Sequence, residues 1–162
     1  MVRIAILFLA VGAGALLVNA SDRPKDVEQP LFFNHRIHAG ENQIPCLYCH
    51  VHARRSAVAG VPSVYRCIGC HRIIGKETPD LIKLKEYWTD KESIPWVKVY
   101  DLPDFVRFTH KRHILKGIDC EECHGPVKGM DRIEKVGLLT MARCVSCHRE
   151  RGAGDDCWTC HK

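Results

Sequence analysis

Phe33-Asn34-His35-Arg36-Ile37-His38, Cys46-Leu47-Tyr48-Cys49-His50 and Cys67-Ile68-Gly69-Cys70-His71 follow one another within forty positions and read together as one unit. C-x-x-C-H is the attachment signature of c-type haem: the thiols form thioethers with the porphyrin vinyl groups, and the adjacent imidazole binds iron from one side. A six-coordinate iron needs a second donor on its other face. His35 and His38 belong to neither motif and are the right number for two irons.

The unit recurs. Phe108-Thr109-His110-Lys111-Arg112-His113 precedes Cys120-Glu121-Glu122-Cys123-His124 and Cys144-Val145-Ser146-Cys147-His148. Within each unit the two motifs start 21 positions apart (Cys46, Cys67) and 24 apart (Cys120, Cys144), which marks an internal duplication. A fifth motif, Cys157-Trp158-Thr159-Cys160-His161, closes the chain without a donor pair of its own.

All 10 cysteines of the 162 residues fall inside these motifs. Disulfides, structural zinc and a thioredoxin-like pair are the alternatives. None of them requires a histidine directly after every cysteine pair, and the thioredoxin-like case needs a βαβ pattern that is absent. The 10 histidines divide as evenly. His50, His71, His124, His148 and His161 are proximal; His35, His38, His52, His110 and His113 would match one distal ligand per haem, although His52 reads equally well as a solvated surface residue.

Five covalently bound haem c groups would supply much of the apolar area that core side chains otherwise provide. The expected fold is therefore a multihaem cytochrome c, with mostly irregular loops and short α-helices wrapped around five haems and little β structure. The net charge of +5 counts the polypeptide alone; haem propionates would add up to roughly ten negative charges. Arg54, Arg55, Lys111 and Arg112 then face propionates or solvent, and no nucleic-acid partner is implied.

Arg3 is followed by an uncharged apolar run from Ile4 to Val18, then by Asn19-Ala20-Ser21. This fits an export signal with a cleavage point after Ala20, or a retained anchor. As a helix the run rises only about 22 Å, short of a bilayer core unless its flanks contribute. Either way the chain behind it is exported, with Arg3 on the cytoplasmic side.

The chain divides into residues 1–20, an N-terminal membrane anchor or uncleaved signal; 21–32, a tether with Pro24 and Pro30; 33–77, a first dihaem unit; 78–107, a linker; and 108–162, a second dihaem unit with the fifth haem. In the linker, Thr78 and Pro79 supply an N-cap and a first-turn proline. Leu81, Leu84, Tyr87 and Trp88 follow at helical spacing to about Thr89. Ile94-Pro95-Trp96 and the alternation through Tyr100 predict an extended segment. The linker is either a docking surface for a partner or packing between the units.

The fifth haem must find its distal ligand outside the donor pairs. Met141 and His52 are the candidates, with Met130 weaker. A thioether favours ferrous iron relative to imidazole, so Met141 would give the chain a high-potential end, which favours it over His52.

F-x-H-x-x-H, I-P-C-x-x-C-H, Ala59-Gly60-Val61-Pro62-Ser63, Ile94-Pro95-Trp96, the second F-x-H-x-x-H and Met141-x-x-Cys144-x-x-Cys147-His148 together resemble the pentahaem cytochrome c subunit of alternative complex III. The resemblance covers nearly the whole chain, including an N-terminal membrane segment. Single motifs recur in cytochromes of the c3/c7 type. It implies one N-terminal transmembrane helix, a haem domain on the periplasmic face, and a place in a membrane quinol oxidoreductase of a respiratory chain. There an iron–sulfur subunit and polytopic membrane subunits are the partners. A monohaem cytochrome, a copper protein or a terminal oxidase accepts the electrons. Family members can carry methionine at one haem, as Met141 would here.

The chain would then be an electron-transfer subunit with no catalytic residues of its own. The alternatives are a free periplasmic c3/c7-type shuttle, a membrane-anchored quinol dehydrogenase, and a multihaem reductase. The last needs an open iron with converging acid and base groups, whereas the donors here suffice to close every iron and no C-x-x-C-K variant occurs.

Overall fold

The computed structural model describes residues 27–137 and 139–161. The predicted membrane segment, with its transmembrane helix, and the first half of the tether lie outside the described residues. Among the described residues no helix is long and apolar enough to cross a membrane.

The fold is a series of short helices joined by loops. They are α1 (Cys46–Cys49), α2 (Val64–His71), α3 (Pro79–Thr89), α4 (His110–Leu115), α5 (Cys120–His124), α6 (Met141–Glu150) and α7 (Cys157–Cys160). A π-helical turn, Arg36–Glu41, precedes α1, and a 3-10 turn, Val127–Gly129, follows α5. No strand occurs among the described residues, only an isolated bridge between Val106 and His161.

Capping places several of these helices. Asp119 and Glu122 form a reciprocal capping box on α5, Thr140 caps α6, and Asp156 caps α7. Thr78 accepts from the Leu81 amide at 3.2 Å, and Pro79 opens the helix, so α3 starts where its chemistry allows. The tether docks on this helix: Phe32 N donates to Asp80 Oδ1 (2.8 Å) and Lys83 Nζ to Pro30 O (3.0 Å).

One apolar cluster is buried, formed by Leu31, Val64, Ile68, Leu84 and Ile94, with Leu81, Tyr87, Trp96 and Cys67 against it. It joins α2 to the linker helix. Elsewhere large apolar side chains stand open, among them Tyr65 at 73%, Ile73 at 81% and Trp158 at 78% exposure.

The alternating Trp96–Tyr100 segment builds no sheet, because no second strand lies beside it. The Gln29 side chain takes that place, donating to Val97 O (2.9 Å) and accepting from Val97 N (3.0 Å). The two duplicated segments, 33–77 and 108–162, interlock directly. The turn at Asn34–Arg36 packs on the loop at Met130–Asp131, and the start of α4 packs on Ser56–Ala57.

Candidate functional site

Every C-x-x-C-H motif sits on or at the end of a helical turn: on α1 with His50 at its C-cap, on α2, α5 and α6, and on α7 with His161 at its C-cap. One helical turn brings positions i, i+3 and i+4 to the same face, so both thiols and the imidazole of a motif point the same way. All ten thiols are free, from Cys46 to Cys160, and none is in a disulfide. They are available for thioether formation.

The donor histidines stand opposite proximal ones. Ring centres are 5.8 Å apart for His38 and His71, 6.2 Å for His110 and His124, and 6.1 Å for His113 and His148. Imidazole nitrogen binds a first-row metal at about 2.0–2.1 Å, and the ring centre lies about 1.2 Å behind it, so two rings on opposite faces of one ion are about 6.3 Å apart. All three observed pairs fall within about half an ångström of this spacing. His35 stands near His50: burial first, then the imidazoles of His50 and His38, lower its pKa to about 4. The ring is therefore neutral at neutral pH, as a metal ligand must be. His124 is lowered in the same direction by burial, then by His110 and His50.

Hydrogen bonds to backbone carbonyls fix the tautomer of six rings. Nδ1 donates to Asn34 O from His38 (2.7 Å), to Gly60 O from His50 (2.6 Å) and to Ile74 O from His71 (3.3 Å). In the second unit Nδ1 donates to Ala57 O from His110 (2.7 Å), to Thr109 O from His113 (2.8 Å) and to Gly154 O from His148 (2.6 Å). A carbonyl only accepts, so Nδ1 holds the proton and Nε2 keeps its lone pair for a metal. His35 Nδ1 is buried with no protein partner. These features fit haem c: paired imidazoles with Nε2 left free, free thiols in every C-x-x-C-H motif, and apolar side chains left uncovered.

The phenylalanine that opens each donor element has a role that sequence reading left unassigned. Phe33 meets His35 edge-on at 4.8 Å and stacks on His38 at 4.5 Å. Phe108 repeats this with His110 (4.8 Å) and His113 (4.7 Å). One ring thus orients both donors of its unit. Tyr100, from the linker, packs edge-on against His124 at 4.8 Å. Its hydroxyl accepts from Val136 N at 2.8 Å.

The fifth motif is placed by the end of the linker, where Val106 bridges to His161. Arg107 N donates to Cys160 O at 2.6 Å, and Phe105 lies 5.8 Å from the His161 ring. Met141 opens α6 and is 69% exposed. It is one turn before Cys144, on the same helix face. Burial first, then the Cys160 thiol of the fifth motif, push the Cys144 thiol up, so the two are within electrostatic reach. His52 is in the first unit, exposed and against Gly60. Met130 is buried and gives its carbonyl to Arg36 N.

A family model, cytochrome c7 and related cytochrome c, matches residues 106–162. That match spans the second donor pair and the last three motifs and implies covalently bound haem c. The chain is also similar to the "menaquinone reductase, multiheme cytochrome c subunit" of Nitratidesulfovibrio vulgaris. The two are 25% identical, over 83% of this chain and 77% of that protein.

Proposed function

We propose that the chain is a pentahaem c-type cytochrome that relays electrons from the iron–sulfur subunit of a membrane quinol oxidoreductase, of the alternative complex III kind, to a periplasmic acceptor. The observation that carries the multihaem reading is the set of three imidazole pairs about 6 Å apart, one in the first unit and two in the second.

Cys46 and Cys49, Cys67 and Cys70, Cys120 and Cys123, Cys144 and Cys147, and Cys157 and Cys160 hold the five haems. The first donor of each unit serves its first motif and the second donor its second. The axial pairs are then His35 with His50, His38 with His71, His110 with His124, and His113 with His148. For the fifth iron, opposite His161, we assign Met141, because it shares a helix face with Cys144 and that thiol is within electrostatic reach of Cys160; His52 lies on the far unit. Bound haem supplies one-electron iron chemistry. The chain's own part is to fix ring orientation through Phe33, Phe108 and the Nδ1 bonds, and to disfavour the charged form of His35 and His124 by burial. Residues 1–20 anchor the protein, with the haem domain outside, and polytopic membrane subunits surround the anchor.

The menaquinone reductase relative favours a second reading, in which electrons run the other way, from a periplasmic donor toward the quinone pool. Mildly solubilised membranes run on a native gel, stained for haem and analysed by mass spectrometry, test both. A large assembly with iron–sulfur and polytopic subunits supports the complex, and its reduction by quinol or oxidation by quinone gives the direction. A chain that runs alone without residues 1–20 is a free periplasmic shuttle, and the proposal fails.

A further inference from the structure

The halves of the chain hold each other reciprocally. Lys111 N donates to Ser56 O at 3.1 Å, and Arg36 N donates to Met130 O at 2.9 Å. Lys111 follows His110 as Arg36 follows His35. Ser56 and Met130 each stand ten positions after the first cysteine of their half, Cys46 and Cys120. Each half therefore grips the same position of the other with the same residue of its own. This self-complementary pattern belongs to a two-fold, isologous contact, here within one chain. Groups next to such an axis meet their own equivalents. Burial first, then the nearby Cys46 thiol, raise the pKa of Cys120, and His50 is within electrostatic reach of His124.

We propose that a pseudo-two-fold axis passes between the first and third motifs, so that the five attachment sites stand in space in the order second, first, third, fourth, fifth. The inference rests on the pentahaem reading above. Within the first half, Phe33 touches both donors, which makes the first and second sites neighbours; Phe108 does the same for the third and fourth. The fifth site is tied to Arg107, directly before Phe108, by the bond from its amide to Cys160 O, and Cys160 is within electrostatic reach of Cys144 in the fourth motif. The second and fifth sites are then the ends of the array, where partner redox centres come within reach. The first site, which precedes all others in the sequence, lies inside it.

The test compares His35→Met with His38→Met in the intact holoprotein. Each change converts one bis-histidine site to His/Met and raises its potential, so that this iron joins the fifth in being reduced before the remaining three in a stepwise titration, and its effect is read against the wild type. Low-spin ferrous iron is diamagnetic, and each ferric neighbour that loses a paramagnetic partner changes its EPR line shape. The expected result is two altered signals for His35→Met and one for His38→Met. The reverse count, which an array in chain order gives, would overturn the proposal. Should a variant fail to assemble, anomalous scattering from the wild-type irons decides: the shortest separation between halves must join the first and third motifs, and a shortest separation between second and third refutes the order. An intact mass carrying fewer than five haems would instead sink the pentahaem reading, while the iron positions still give the order of the filled sites.

Discussion

Phe108→Ala removes the ring that holds both donors of the second unit. The native ring lies 4.8 Å from His110 and 4.7 Å from His113. Such aromatic contacts are each worth about 0.5–1.5 kcal/mol beyond the area they bury. If each contact favours the ligating pose of its imidazole, its loss shifts the ratio of closed to open iron by about 2- to 13-fold at each of two sites. Carbon monoxide binding to the reduced holoprotein reads this ratio, because the gas takes only an open ferrous position. Two of five irons should gain reactivity by that factor, and Phe33→Ala should do the same for the other pair. No gain, or an equal gain at all five irons, would refute the argument: the first would mean that the ring does not orient its neighbours, the second that the fold has simply loosened.

Met141→His should lower the potential of one haem and leave the others in place, as read by redox titration; no change in any potential would remove Met141 as a ligand. Gly60 has φ +72°, and a Cβ there would lie 2.9 Å from His52 Cδ2. Gly60→Ala should therefore cost about 1–2 kcal/mol and disturb the acceptor of His50, visible as a lower thermal midpoint and an altered spectrum of the first haem. Asp131 is held below the usual carboxylate range by hydrogen bonds from Asn34 and then Arg36. A depressed carboxylate contributes above its unfolded pKa and loses that contribution as pH falls through the lowered value. Acid titration should thus loosen the Asn34–Arg36 contact below the ordinary Asp pKa, and Asp131→Asn should abolish this pH dependence. Asp119→Ala should cost about 0.5–2 kcal/mol through loss of the α5 cap, measured by denaturation.

Much of the local structure was legible because its cause is local. The Thr78 cap and Pro79 give α3 directly, and the C-x-x-C-H spacing matches a helical turn. The partner of Trp96–Tyr100 was not legible, since alternation announces an extended strand but cannot say that Gln29, far off in the chain, will occupy its edge. The double role of Phe33 and Phe108 had a signal, the fixed phenylalanine two positions before each donor pair, but only ring geometry gives it a purpose. The packing of Ser56–Ala57 on α4 had no signal in either segment alone. It uses backbone carbonyls, which any residue supplies.

The duplication is most informative where its symmetry breaks. His110 Nδ1 donates to Ala57 O at 2.7 Å, across the interface between halves. The equivalent ring, His35, finds no such acceptor. Asp131 stands where Ala57 stands in the other half, but its backbone carbonyl takes no bond from His35, whose Nδ1 stays buried and unpaired. A hydrogen bond to the outer nitrogen raises the basicity of an imidazole ligand, and burial disfavours the more highly charged ferric state. Under the proposed ligand assignment, two sites with the same ligand set are thus made unequal by one hydrogen bond. The first haem should have a higher potential than the third, which biases an electron toward the first-unit side of the join. Individually assigned potentials for the two haems would check this, and a lower value at the first would show that the missing hydrogen bond does not control it.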